Sequence, residues 1–155
     1  MDVTKSYNDV KIFNELAGSL ENVNKSSIAL QLDLIQEEFL ETVQAFDEKD
    51  PVEFVDGVAD MFVVLSGLMQ KLEALGVDVE TAFERVNNNN LSKFSDSVLQ
   101  QPPNTIATFN KRWEKWVFKN NQTGKIMKPF DFSPVDLSDI NTGKLLGVLS
   151  QDLEE

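Results

Sequence analysis

The chain has 155 residues, with 26 Asp and Glu against 14 Lys and Arg, which gives a net charge of −12. A single domain over residues 1–155 is expected at this length, and an apolar fraction of 41% is ordinary for a globular protein. The sequence contains no Cys and no His, which excludes disulfides, Cys/His zinc sites, thiolate nucleophiles and Ser-His-Asp triads. Any metal site must therefore use oxygen ligands, which suit hard cations such as Mg²⁺, Mn²⁺ or Ca²⁺.

The acidic balance also restricts the partners. A surface that binds nucleic-acid phosphates needs a basic face, so nucleic acid is not an expected partner, although an acidic protein that mimics DNA stays open. Met1–Asn14 mixes charged with isolated apolar residues and does not resemble a signal peptide. Met61–Met69, the longest strongly apolar stretch, is too short to span a membrane. We therefore expect a soluble, cytoplasmic protein without a membrane partner.

The first two-thirds of the chain is predicted to be helical. Apolar residues recur at helical spacing in four segments, at about residues 6–20, 28–46, 52–75 and 78–86. Ser26-Ser27 is the expected N-cap of the second helix, Pro51 fits the first turn of the third, and Gly76 fits its end. Asn87–Asn90 is expected to interrupt the fourth helix or distort its last turn.

The last third, about residues 105–155, differs in character. Trp113–Phe118 and Ile126–Phe130 are predicted to form a hairpin around a turn at Asn120–Gly124, with Gly124 in the left-handed conformation. The acidic segment Gln151–Glu155 is expected to fray. The predicted fold is all-α, a bundle of four to five helices over about residues 6–100 with a small C-terminal hairpin and an extended tail.

Acidic residues interrupt the most apolar helix. The third predicted helix is apolar nearly all round and is therefore expected to be buried. Asp56 and Asp60 lie one turn apart in it, and Glu53 extends the same line toward the N-terminus. Buried carboxylates need a cation, basic partners or several hydrogen-bond donors.

The second helix carries a matching acidic stripe. Glu37, Glu38 and Glu41 fall within an arc of roughly 100°. Glu37 and Glu38 by themselves fit a solvated face, and Asp56 fits the acid preference of a helix N-terminus. If the two helices pack antiparallel, however, five or six carboxylates converge within a few ångströms, where divalent cations must neutralise them. The combination favours a hard-metal site.

These motifs resemble those of a known superfamily, the all-α nucleoside triphosphate pyrophosphohydrolases, which include the MazG-like and phosphoribosyl-ATP-pyrophosphohydrolase-like proteins. Its small, often phage-encoded branch is the most similar. Glu37–Glu41 and Glu53–Phe62 resemble the superfamily's acidic motifs. The stretches that resemble the small branch are Gly76–Asp78, Asn90–Phe94, Gly124–Pro129 and Ser133–Leu137.

The resemblance implies hydrolysis of an NTP or dNTP to the monophosphate and pyrophosphate by a Mg²⁺-dependent homodimer or homotetramer, with Mn²⁺ as an alternative metal. By position, the metal ligands would be Glu38, Glu41, Asp56 and Asp60. Glu38 is also assigned a catalytic role together with Glu37, which would bind metal or orient the attacking water, and Asn90 and Lys93 would bind substrate.

One position departs from the pattern. Many relatives have E-x-x-D ending at the residue equivalent to Asp60, and the Glu position is Gly57 here. Asp56, or Glu53 together with Asp56, must take over its role. An inactive nucleotide-binding or regulatory protein of the same fold, or an acidic interaction protein, is therefore an alternative.

A basic aromatic segment lies in the hairpin region. Six cations and one acid occur between residues 111 and 128, interleaved with Trp113, Trp116 and Phe118. Such a segment could stack on nucleic acid, or one or two lysines could reach substrate phosphates. We favour the third interpretation, in which the aromatic residues pack on the bundle or on a neighbouring subunit.

Overall fold

The computed structural model describes residues 2–152. In chain order, the described elements are the helices α1 (Val3–Leu16), α2 (Lys25–Glu48), α3 (Pro51–Ala74) and α4 (Val79–Leu91), the strands β1 (Thr105–Asn110) and β2 (Lys115–Asn120), and the helix α5 (Gly143–Leu149). A single 3₁₀ turn, Val98–Gln100, precedes β1. The predicted mostly helical fold with a small hairpin is therefore confirmed.

The described residues form two compact units. Residues 2–79 and 141–152 form the helical unit, which contains α1, α2, α3 and α5. Residues 80–140 form the hairpin unit, which contains nearly all of α4 together with β1 and β2.

Local side-chain chemistry sets the helix ends. The N-cap of α2 is Asn24 and not the predicted Ser26-Ser27, because Asn24 and Ser27 form a reciprocal capping box that starts the helix earlier. The Asp50 carboxylate accepts hydrogen bonds from the backbone of Val52 and Glu53 and so caps α3. Gly76 has φ +82° just after α3, which confirms the predicted stop.

The Asn run does not interrupt α4. The predicted interruption is wrong, since α4 is regular through Leu91 and the Ser92 N–H still bonds to the Asn88 carbonyl at 3.0 Å. Asn is only mildly unfavourable in a helix, so a short run is tolerated where the side chains reach solvent or other partners.

The hairpin is shifted along the chain relative to the prediction. β1 pairs with β2 in an antiparallel register that sets Phe109 opposite Trp116, whereas Ile126 forms only one isolated bridge, to Lys119. Asn110 causes the shift, because its side-chain oxygen accepts two backbone N–H groups and nucleates the turn that follows β1.

The downstream turn exists without a full second strand. Gly124 has φ +71°, which confirms the predicted left-handed conformation. The Met127 N–H bonds to the Phe118 carbonyl at 2.8 Å, so the chain after Gly124 covers the outer edge of β2 for only a few residues.

The tail contains a helix that was not predicted. Residues Gly143–Leu149 form α5, and its Leu145 and Val148 pack with Ile28 and Leu75 in the core of the helical unit. The expectation of an extended tail is therefore wrong at α5. The predicted frayed segment is described only for Gln151 and Asp152, and residues 153–155 lie outside the described part.

The antiparallel pair α2–α3 forms the frame of the helical unit, and glycine allows its closest approach. A Cβ atom on Gly57 would lie 2.4 Å from Thr42 Oγ1 and 3.3 Å from Thr42 Cα. A Cβ on Gly67 would lie 3.0 Å from Gln31 Nε2. These two contacts fix how far each helix is shifted along the other.

Polar contacts join α1 to α3. The Asn14 amide donates to Gln70 Oε1 at 2.9 Å, and the Tyr7 hydroxyl donates to the Glu73 carboxylate at 2.7 Å. Gln70 is only 1% exposed, so this network is a buried feature that specifies how α1 is seated.

The helix α3 is less buried than predicted. Val52, Val55, Val58 and Leu65 are exposed, because α2 and α1 cover only part of the circumference of α3. Within residues 2–152, no helix combines the length and the apolar character needed to cross a membrane.

The Gly57 contact predicts a clear stability effect. Gly57→Ala should lower the free energy of unfolding by about 1–3 kcal/mol, because the added methyl group forces α2 and α3 apart. Urea denaturation followed by circular dichroism measures this change. Gly147→Ala in α5 is the matched control, since its Cβ meets nothing within 4 Å. An unchanged midpoint for Gly57→Ala would show that the pair accommodates the methyl group.

Candidate active site

The α2–α3 pair places the two acidic stripes at the same level. Thr42 on α2 lies against Gly57 on α3. Glu38 precedes Thr42 by four residues, so it lies farther from the turn that connects the two helices and at the level of Asp60. Glu41 and Asp56 are nearer the turn. The predicted antiparallel arrangement of the stripes is therefore present in the helical unit.

The electrostatic effect of the carboxylates on one another is clearest at Glu38. Burial raises the pKa of Glu38, which is half-buried, and the negative charges of Asp60, Glu41, Glu37 and Asp56 raise it further, in that order. All five acids predicted for the site therefore lie within electrostatic reach of one side chain. Each added negative charge makes ionisation of Glu38 less favourable.

The convergence is looser than expected. Among residues 2–152, no three Asp or Glu side chains are close enough together to hold a metal ion. Glu37, Glu41 and Asp56 are exposed, and their side chains reach solvent. The backbones of α2 and α3 therefore place the acids at the same level, but the conformations of the acidic side chains do not form a set of metal ligands.

The chain does not neutralise these acids with its own basic groups. Within the described part of the chain, none of the five carboxylates forms an ion pair, and none accepts a hydrogen bond from a side chain. Of the three ways to satisfy such acids, basic partners and internal donors are therefore absent from the described residues. Three of the five, Glu37, Glu41 and Asp56, are exposed and can be hydrated by solvent.

The close packing around Gly57 restricts which residue can occupy the first position of the E-x-x-D motif that ends at Asp60. No side chain fits at Gly57, because even a Cβ would overlap Thr42. A glutamate here would separate α2 from α3 at the point where the acidic stripes face each other. The E-x-x-D spacing is present four positions earlier, about one helical turn toward the N-terminus, at Glu53 and Asp56, both of which are exposed on α3.

The predicted substrate-binding residues lie in the hairpin unit. The Lys93 ammonium donates to the Asn90 side chain at 2.7 Å, so the two residues form one polar pair at the end of α4. With Asn87 and Ile126 they line a cavity of about 460 Å³. The structure thus brings Asn90 and Lys93 together.

The rest of the Asn run faces a different environment. The Asn89 amide donates to the Ser133 carbonyl at 2.7 Å, and Arg85 pairs with Asp139, so α4 holds the extended segment that follows Pro129. A cavity of about 830 Å³ between them includes Asn88 and Asn89 among its lining residues. Residue spacing does not predict this cavity, because the cavity depends on where a segment without regular structure returns to α4.

The aromatic residues of the basic segment divide between core and surface. Phe118 is fully buried at 0% exposure, as the packing interpretation expects. Trp113 is 67% exposed, and the Arg112 guanidinium lies 5.4 Å from its ring centroid. Phe118 is therefore packed in the interior and Trp113 is not covered by its own chain; packing of these residues on the bundle or on a neighbouring subunit stays a prediction.

The family model of phosphoribosyl-ATP pyrophosphohydrolase matches residues 15–90, about half of the chain. No curated protein and no solved structure gave a significant match. The matched segment spans α2, α3 and nearly all of α4, and therefore includes every residue of the acidic stripes. Residues 15–90 belong to this family within the all-α nucleoside triphosphate pyrophosphohydrolase superfamily, whose activity is pyrophosphohydrolysis of a nucleotide-like substrate.

The raised pKa of Glu38 predicts a pH-dependent stability change. A carboxyl group whose pKa is higher in the folded protein destabilises the fold when ionised, and this cost vanishes below the ordinary glutamate pKa of 4.5. In metal-free buffer, Glu38→Gln should therefore raise the midpoint of thermal unfolding at pH 7, and the gain should shrink toward pH 4. Glu15→Gln, on the exposed surface of α1, is the control. A gain that does not depend on pH would contradict this electrostatic explanation.

Proposed function

We propose that this protein is a Mg²⁺-dependent nucleoside triphosphate pyrophosphohydrolase that converts an NTP or dNTP and water into the monophosphate and pyrophosphate. The main support is the placement of Glu37, Glu38 and Glu41 on α2 opposite Asp56 and Asp60 on α3. This arrangement lies inside the segment that matches a family of pyrophosphohydrolases. The reaction requires no His or Cys, and the sequence has neither.

The donor chemistry fits a hard divalent cation. We assign Glu38, Glu41, Asp56 and Asp60 as the residues that would hold Mg²⁺, with Mn²⁺ as an alternative and Glu53 as a further candidate. The raised pKa of Glu38 supports this assignment, since burial and, after it, repulsion by neighbouring acids disfavour its charge, and a cation near Glu38 would offset both. When bound, such a cation offsets the charge of the triphosphate and lowers the pKa of a coordinated water.

The remaining chemistry is assigned to side chains of this chain. Glu37 is exposed beside Glu38 and can accept the proton of the attacking water or orient that water. The water oxygen forms a new bond to phosphorus while the phosphoanhydride bond breaks, and pyrophosphate leaves. Lys93 can meet the negative charge of a phosphate group, and Asn90 can hold the ammonium of Lys93 in place or bind the nucleotide itself.

We further propose that the protein is a homodimer or homotetramer. On α2 the exposed apolar residues include Phe39, Val43 and Phe46, and on α3 they include Val52 and Val55. Exposed apolar patches of this kind usually mark an interface between protein surfaces. A second copy would bury the part of α3 that α1 and α2 leave uncovered.

The activity is tested by a pyrophosphate-release assay over all NTPs and dNTPs, with and without Mg²⁺ or Mn²⁺. Release should require the metal, and Asp60→Asn and Glu41→Gln should reduce it to background without loss of the helical fold. Asp33→Asn, an exposed acid on α2 outside both stripes, should remain active. A wild-type protein that binds nucleotide but releases no pyrophosphate would favour the inactive regulatory alternative. Near-normal activity of Asp60→Asn would refute the ligand assignment.

The oligomeric state is tested by sedimentation velocity. Val55 is 67% exposed on α3, and Val55→Lys should shift the protein toward the monomer because it places a charge in the proposed apolar interface. Leu99→Lys is the matched control, since Leu99 is 84% exposed in the hairpin unit. A wild-type protein that sediments as a monomer at assay concentrations would overturn the proposal.

A further inference from the structure

The helical unit contains a buried cation with no acidic partner. Lys71, in the last turn of α3, is only 5% exposed. Its ammonium donates to the Ser19 carbonyl at 2.9 Å, and it forms no ion pair with any residue in the described part of the chain. A lysine this deeply buried is rare unless its charge is paired.

The burial of Lys71 costs stability that the surroundings offset only partly. Burial lowers the pKa of Lys71, which shows that the fold disfavours its charged form. The last turn of a helix attracts a cation through the helix dipole, and one carbonyl accepts one of its three N–H groups. Two N–H donors of a desolvated ammonium therefore remain available to another acceptor.

Lys71 lines an open cavity of about 460 Å³ in the helical unit. Neutral polar groups from the start of α2 line the same cavity, including Asn24, Ser27 and Gln31. Glu21, the one acid that also lines it, makes no ion pair with Lys71. The lining thus combines the Lys71 cation and the Glu21 acid with neutral hydrogen-bonding groups and with apolar side chains such as Leu30 and Leu34.

The walls of this cavity are fixed by internal contacts. The Gln31 amide donates to the Val64 carbonyl at 2.9 Å, and Asn24 and Ser27 hold each other in the capping box of α2. Gly67 lies beside Gln31, and a Cβ atom at position 67 would lie only 3.0 Å from Gln31 Nε2. Such a preformed cavity, apolar over most of its lining with a few polar groups, can bind a ligand without first ordering its own side chains.

We propose that this cavity binds the phosphate or carboxylate group of a small molecule, with the Lys71 ammonium as the principal donor. A charge-assisted hydrogen bond to an oxyanion is stronger than one between neutral groups, and an anion supplies the counter-charge that Lys71 lacks. The Lys71 end of the cavity is distinct from the acidic stripes, since Asp60 and Lys71 are eleven residues apart on α3, or roughly 16 Å along the helix axis, while Val63 and Val64 line the part of the cavity nearer Asp60. The proposal therefore does not rest on the proposed hydrolase activity.

The direct test is NMR of the wild-type protein with ¹³C- and ¹⁵N-labelled lysine. The protein is titrated with inorganic phosphate and, in a second arm, with acetate, in the absence of nucleotides and divalent cations. A saturable shift of the Lys71 side-chain signal with either anion, much larger than with chloride at equal ionic strength, is expected. The arm that saturates at lower concentration identifies phosphate or carboxylate as the preferred group. An equal response to chloride, or shifts confined to the hairpin lysines, would refute the proposal.

A variant separates binding from a merely structural role. Lys71→Met keeps the length of the side chain and removes its charge, so anion affinity measured by calorimetry should fall by at least about tenfold. Its thermal stability should be equal to or higher than that of the wild type, because the buried charge is gone. Lys11→Met on α1 is the control and should bind like the wild type. Unchanged affinity in Lys71→Met would overturn the proposal, and if this variant fails to fold, the wild-type NMR titration decides alone.

Discussion

The close crossing of α2 over α3 determines the rest of the helical unit. Gly57 allows the backbone of α3 to approach Thr42, and Gly67 allows the same at Gln31. Two such contacts on one helix pair fix both its separation and its register. The register then decides that Glu38 reaches the level of Asp60, and that Lys71 comes to lie near the start of α2. The chemistry of both candidate sites therefore depends on two positions without a side chain.

The same crossing explains the position that departs from the family pattern. The E-x-x-D pattern that the resemblance implies has a glutamate where this chain has Gly57, and in this backbone even a methyl group there would overlap Thr42 Oγ1. The chain retains a glutamate and an aspartate at E-x-x-D spacing, at Glu53 and Asp56. The change at Gly57 is thus explained by helix packing, and it does not require the loss of an acidic site.

Periodicity and capping chemistry predicted the helices well, because those signals are local. Pro51 and Gly76 mark the two ends of α3 within one residue, and the acidic stripes follow from residue spacing alone. The errors concern features that depend on distant parts of the chain. The helix α5 is too short to show a pattern and depends on Ile28 and Leu75 for its core contacts. The separation of the carboxylates and the cavity at Lys71 depend on side-chain positions that no spacing rule provides.

The α2–α3 pair carries two charges of opposite sign that the described residues do not neutralise. Burial and, after it, neighbouring acids raise the pKa of Glu38 in the middle of α2, and burial lowers the pKa of Lys71 in the last turn of α3. Both shifts show that the charged form is disfavoured in the folded chain, so both charges reduce stability near neutral pH. A helix pair selected only for stability would place neutral or paired residues at these positions. A cation at the acidic stripes and an anion at Lys71 would each remove one of these costs, so both ligands would stabilise the same helix pair.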